Sequence, residues 1–186
     1  MSEDRAEEPL RILCVCTGNI CRSAFAHHYL ADGLDRLSSG SFVVSSAGLG
    51  WWPGLEVPAE LLEVAGPVRS RLAAHQARSL DPLEARRADL VLTATAEHRS
   101  AVLSEAPAAL KRAFTMREFS ALIEHMDPHP GVSPQAWREV IAAASQRRGF
   151  VVGGDVPDPY RGPQAAYAGM VELLGPTLDR IIAAAT

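Results

Sequence analysis

Lysine is almost missing from this chain. Of its 18 basic residues one is a lysine, Lys111, and the rest are arginine, a bias that points to a GC-rich genome more than to a function. Against 22 acidic residues they leave a formal net charge of −4, which gives no reason to expect nucleic acid as a partner. No apolar run is long enough to span a bilayer, so no membrane partner is expected. Cysteine is scarce as well: the three lie within eight residues, Cys14 to Cys21. That clustering excludes a disulfide framework and fits a reducing cytoplasm. The Gly-x4-Gly-Lys-Ser/Thr loop of ATPases is absent. Met1 to Pro9 is acidic and polar, unlike a signal or transit peptide, and reads as a disordered tail (residues 1–9) before one domain over residues 10–186. A chain of 186 residues, 47% hydrophobic, has enough material for a single sizeable core.

What is present concentrates at Cys16-Thr17-Gly18-Asn19-Ile20-Cys21-Arg22-Ser23. An apolar run ending at Val15 reads as a strand, and a helical pattern begins near Arg22. Amides between the two can turn inward as an anion nest, next to the positive end of a helix. Gly18 allows unusual dihedrals, and Asn19 tolerates the left-handed region. Arg22 offers a planar fork for two phosphate oxygens. The same field favours the thiolate of Cys16, lowering its pKa from about 8.5 and making it a nucleophile aimed at phosphorus.

The remaining pattern alternates. Strands are expected at Leu10–Val15, Phe42–Ser46, Leu90–Thr93 and Arg112–Met116. Helices are expected at Ser23–Leu37, Leu61–Leu72 (broken near Gly66-Pro67), Pro82–Arg87, Ala96–Leu103, Arg117–His125 and Pro134–Arg148. A last helix, Pro163–Ile182, is expected to kink or break at Gly175-Pro176. Alternation implies a parallel sheet with helices on both faces, whose ligand site lies at the carboxyl ends of the strands. A phosphocysteine enzyme also needs a proton donor for its leaving group. Asp158, between Pro157 and Pro159, is the candidate, with Asp155, Asp127 and Asp81 as rivals. Tyr160 offers a flat wall for an aromatic substrate.

Val15 to Ser23 together with Asp158-Pro159-Tyr160 resembles the low-molecular-weight protein tyrosine phosphatases. Ser46-Ala47-Gly48 followed by Trp51, then His75-Gln76-Ala77-Arg78, Asp89-Leu90-Val91-Leu92 and Thr115-Met116-Arg117-Glu118-Phe119 resemble further family stretches in the same order, the last of them an actinobacterial type. The resemblance spans about Leu10 to Ile182. It implies a four-stranded parallel sheet in a three-layer α/β sandwich, with no metal or other cofactor. It also implies roles. Cys16 attacks phosphorus, Arg22 binds the phosphate, and Asp158 protonates the leaving group and then activates water. Thr17, Gly18, Asn19, Ile20 and Cys21 cradle the phosphate, Ser23 bonds the thiolate, and Ser46 and His75 brace Asn19. Trp51 and Tyr160 flank the pocket mouth. For Cys21 two roles stay open, a reversible disulfide with Cys16 or an inert buried thiol. Cys14 reads as core, and His27 and His28 as surface or packing residues without a third metal ligand.

The chain departs from the family at four places. Ala24 replaces a proline. Thr93-Ala94-Thr95-Ala96-Glu97-His98 replaces a Met-Asp with a downstream Asn, so contacts made by that aspartate are missing. Arg161 replaces a second aromatic, and favours a more acidic substrate or faces water. The stretch 122–154 is long, suggesting an added helix and loop near the pocket. The expected function is metal-independent hydrolysis of phosphotyrosine in a protein or of a small phosphate ester. Alternatives are arsenate reduction, which usually needs further cysteines where none follows Cys21, and a non-catalytic phosphate-binding module. Oligomeric state is not legible.

Overall fold

A computed structural model describes residues 8–127, 129–150 and 153–186. Four strands form one parallel sheet: β1 (Leu10–Cys16), β2 (Phe42–Gly48), β3 (Leu90–Thr93) and β4 (Ala113–Thr115), in the order β2-β1-β3-β4. Eight α-helices are described between and after them: α1 (Arg22–Leu37), α2 (Ala59–Val64), α3 (Arg69–Ala73), α4 (Pro82–Arg87), α5 (Ala96–Glu105), α6 (Met116–Glu124), α7 (Pro134–Gln146) and α8 (Gln164–Ala183). A 3₁₀ turn at Gly66–Val68 separates α2 from α3, at the expected break.

The pleat of β1 divides the core. Ile12, Cys14 and Cys16 pack with Phe25 and Leu34 of α1, Phe119 of α6, Trp137 of α7 and Leu174 of α8. Leu13 and Val15 face the other way, onto a smaller cluster with Ala85 of α4 and Val102 of α5. Successive strand side chains must point to opposite faces, so helices cover both sides and the sandwich has three layers. The second cluster is rich in alanine, which lets α4 and α5 approach the sheet closely.

Register aligns the carboxyl ends of the strands. Cys16 pairs with Gly48, Val15 with Thr93, and Thr93 with Thr115. The chain leaves β1 through α1 toward β2 and later returns to β3 on the other side of β1. This is the topological switch point where such sheets hold ligands, and the cysteine loop fills it.

Two expectations about elements are corrected. The last helix is not broken at Gly175-Pro176; α8 runs through Pro176 without interruption. Proline removes the backbone donor to the Glu172 carbonyl, but buried Leu174, Leu178 and Ile181 hold both halves against the core. The helix of the 122–154 stretch is also not beside the pocket. Arg138 on α7 pairs with Asp89 (3.1 Å), just before β3, and donates to the carbonyls of Glu8 and Pro9, just before β1. These contacts tie α7 to the amino edge of the sheet, opposite the cysteine loop. Residues 1–7 of the expected tail lie outside the described residues. Lys111 is exposed in the turn before β4, at that same amino edge.

Candidate active site

The loop between β1 and α1 is shaped by what its backbone carbonyls meet. Leu49 and Gly50 N–H donate to the carbonyls of Cys16 and Thr17 (3.0 and 2.9 Å). His75 Nε2–H donates to the carbonyl of Asn19 (2.9 Å). With these carbonyls turned outward, the N–H groups of residues 17–21 have no hydrogen-bond partner among the described residues and are left to the concave side as an anion nest. The positive backbone dihedral falls on Asn19 (φ 56°) rather than on Gly18. Gly48 is required for a different reason: a Cβ there would lie 2.5 Å from the Thr17 carbonyl oxygen.

Asn19 is fully buried, and its amide is fully used. Nδ2 donates to Ser23 Oγ (3.0 Å) and Ser46 Oγ (2.9 Å), while Oδ1 accepts from Arg78 N–H (3.1 Å). Since Ser23 Oγ already accepts from Asn19, its own proton is free for the Cys16 sulfur at 2.9 Å. The expected braces Ser23, Ser46 and His75 therefore meet at Asn19, and Ser23 also meets the thiol.

Arg22 is 4% exposed. Its Nη2 pairs with Asp158 Oδ2 (2.7 Å) and donates to Thr17 Oγ1 (3.3 Å), and Nη1 donates to the Val156 carbonyl (3.3 Å). Its Nε is buried with no partner among the described residues. Asp158 is thus brought to the loop from 136 residues away. Its rivals are occupied or remote. Asp155 accepts from Ala96 N–H (2.8 Å), Asp81 caps α4, and Asp127 is exposed away from the pocket.

Cys16, Thr17, Gly18, Ile20, Cys21 and Arg22 form the floor of the pocket. Its walls are Trp52, Leu55, Asp158 and Tyr160. The tryptophan is Trp52, not Trp51: consecutive side chains in non-helical backbone diverge, so only one of the pair can face the pocket. Trp52 is 53% exposed, as a residue of a pocket rim can be. Arg161 takes a positive dihedral (φ 61°) and lays its guanidinium over the Tyr160 ring, 5.2 Å from the centroid, where it stiffens the wall by a cation–π contact. Burial, then the neighbouring Cys16 sulfur, pushes the Cys21 thiol up, which keeps it protonated.

Sequence reasoning gave no role to His98, which touches the site. Thr95 Oγ1 accepts from His98 N–H (3.1 Å) and lies 2.8 Å from His98 Nδ1. With the Thr95 proton given to Nδ1, His98 Nε2 carries a hydrogen and donates to Thr17 Oγ1 (2.9 Å). Thr17 Oγ1 then accepts from both His98 and Arg22, and its own proton is left for the pocket. Burial and the Arg22 charge lower the His98 pKa and favour this neutral form. A Thr-x-x-His spacing opening a helix was the available signal, since Thr95 is also the N-cap of α5.

The histidines behind the loop also differ from expectation. His28 Nε2 lies 3.0 Å from His75 Nδ1, and His27 Nδ1 lies 3.1 Å from Ser46 Oγ. His75 supplies the third imidazole that sequence spacing did not reveal, and ligand atoms of the three lie within 4.8 Å of one another.

The family model for low molecular weight phosphotyrosine protein phosphatase matches residues 11–148. The chain belongs to this family. A curated relative, the low molecular weight protein-tyrosine-phosphatase Wzb of Salmonella typhi, is 30% identical over 164 residues, 88% of this chain and 86% of the relative. Among solved structures, the low molecular weight protein tyrosine phosphatase of T. tengcongensis aligns with TM-score 0.69 and 26% identity, covering 94% of this chain and 98% of the other. An arginine phosphatase from Geobacillus stearothermophilus aligns with TM-score 0.69 and 26% identity, over 94% and 92%. This low-molecular-weight phosphatase is a phosphoric monoester hydrolase of the protein-tyrosine-phosphatase type, whose metal-independent chemistry runs through a phosphocysteine. No described helix is long and apolar enough to cross a membrane.

Proposed function

We propose that the protein dephosphorylates phosphotyrosine side chains of proteins, with Cys16 as nucleophile, Arg22 as phosphate clamp and Asp158 as acid and then base. The observation that carries this reading is the pocket's cross-section. The nucleophile lies on an anion-binding floor, and above it Trp52, Leu55 and Tyr160 offer apolar and aromatic surface, which suits a flat aryl ring. Apart from Asp158 those walls hold no charged acceptor for a guanidinium, which favours phosphotyrosine over phosphoarginine.

The chemistry balances without a metal. The Cys16 sulfur forms a bond to phosphorus as the bond to the phenolic oxygen breaks, and Asp158 gives that oxygen a proton. The incoming phosphate takes the Arg22 edge that Asp158 now occupies, so binding substrate frees the acid for its task. Water, deprotonated by Asp158, then attacks the phosphocysteine and releases inorganic phosphate.

The test is a comparison of kcat/KM on phosphotyrosine peptides, phosphoarginine peptides and small aryl phosphates, in EDTA. Tyrosine peptides are expected to lead phosphoarginine by at least tenfold, and Cys16→Ser to abolish turnover and retain the preferred substrate. Equal or better rates on phosphoarginine would reassign the substrate. Arsenate-dependent thiol oxidation without ester hydrolysis would replace the reaction.

A further inference from the structure

We propose that His27, His28 and His75 form a binding site for one borderline transition-metal cation, of which Zn²⁺ is the type, set behind the phosphate loop and separate from the catalytic thiol. Three imidazoles are the donor set that zinc accepts with a water as fourth ligand. Calcium and magnesium, which want oxygen ligands, are poor candidates.

The proton inventory of the cluster prepares it for a metal. The Asn19 carbonyl can only accept, so His75 carries its hydrogen on Nε2. Its Nδ1 lone pair therefore points into the cluster, toward His28 Nε2 at 3.0 Å. Metal-bound histidines generally hold their ring by donating the other N–H to a carbonyl or carboxylate, and that outer contact is already built in Asn19. Two ligands of a tetrahedral zinc, at Zn–N of about 2.0–2.1 Å, lie about 3.3 Å apart, close to the separation found between His28 and His75. Moving the His28 proton from Nε2 to Nδ1 lets both nitrogens face the ion with no net proton released. His27 stacks on His28, with centroids 4.4 Å apart, and offers a ring nitrogen within 4.8 Å of the other two ligand atoms. All three side chains are half-buried, so the ion has a path from solvent.

The surrounding charge permits this. Arg71 and Arg78 lie close enough to act on the cluster. Each is paired, Arg71 with Asp32 (3.2 Å) and Arg78 with Glu84 (2.7 Å), which offsets part of the field opposing a cation. Through the His75 contact to Asn19 and the His27 contact to Ser46, an ion held here is one residue removed from the nest.

Zinc chloride titrated calorimetrically into the full chain carrying Cys16→Ser, which removes the reactive thiolate as a competing ligand, tests the site. One equivalent is expected to bind, reversed by EDTA, with a rise in Tm of several degrees as expected for a ligand held only by the folded state. Co²⁺ in place of zinc is expected to show the visible absorption of a tetrahedral ion. His28→Gln keeps a donor for His75, preserving the loop brace, and should weaken binding by more than about tenfold. His75→Gln should do the same. No binding, or binding unchanged in His28→Gln, would overturn the proposal. Several weak equivalents that persist in both variants would mark adventitious surface histidines and overturn it equally.

Discussion

Asn19 is the only asparagine in the chain, and its conformation and its chemistry are demanded at one point. The left-handed backbone tolerates an asparagine better than most residues, and the buried amide satisfies Ser23, Ser46 and the Arg78 amide together. Asn19→Ala would leave these partners short and let the nest relax; kcat is expected to fall by about 10²-fold, the scale of a misplacement of roughly 1 Å, with stopped-flow burst kinetics as the check. Asp158→Ala should slow the chemical step by about 10²–10⁴-fold on esters with poor leaving groups, and much less on activated ones. His98 acts through Thr17, so it is a positioning residue. His98→Ala should lower kcat/KM several-fold, and His98→Gln, which can still donate to Thr17, should recover part of the loss. Equal losses in the two variants would mean that only packing matters. Cys16 and Arg22 stood out as candidates because strand, loop and helix are adjacent in sequence; Asp158, one of four candidate aspartates in its proline frame, is set apart by its 2.7 Å contact with Arg22. His98 did not stand out, since its contact with Thr17 spans 81 residues and depends on how β3 lines up beside β1.

At the scale of elements, local pattern located the strands and most helices within a residue or two. Pleat, caps and helix periodicity are short-range properties. Pro82–Arg87 starts on the Asp81 cap with proline at its first turn, and α6 starts on a reciprocal capping box between Thr115 and Glu118. Where tertiary contacts decide, the sequence misled. Pro176 is a breaker by itself, yet it sits inside α8 because the apolar face on either side of it is fully packed. The long stretch 122–154 suggested a pocket neighbour, but Trp137 draws α7 into the core. It lies edge-on to Phe42, with centroids 5.9 Å apart, and its Nε1 donates to the Gly131 carbonyl (2.7 Å). Trp137→Ala is therefore expected to cost about 3–5 kcal/mol of stability in urea denaturation. KM should stay near the wild-type value, since α7 is tied to the sheet edge away from the pocket.

For the whole molecule, the half-buried histidines of α1 set an acid limit. His27 and His28 are held near 3 and 4, against about 6.5 in an unfolded chain. The unfolded chain thus binds more protons over that interval, and stability rises with pH there. Stability should be full above about pH 6.5 and decline as the pH drops toward 4. The urea midpoint, followed between pH 7 and pH 4.5, should fall less steeply in His28→Gln than in the wild type. The sign reverses only if the imidazoles are charged in the fold, which would place carboxylates beside them; the pairing of Asp32 and Glu84 with arginines speaks against that.

The scarcity of lysine has a practical side. Lys111 is the single side-chain amine, exposed at the amino edge of the sheet, while the cysteine loop opens at the carboxyl edge. A dye or solid support coupled to a side-chain amine attaches at that one position. Enzyme fixed through Lys111 presents its reactive face to the solution.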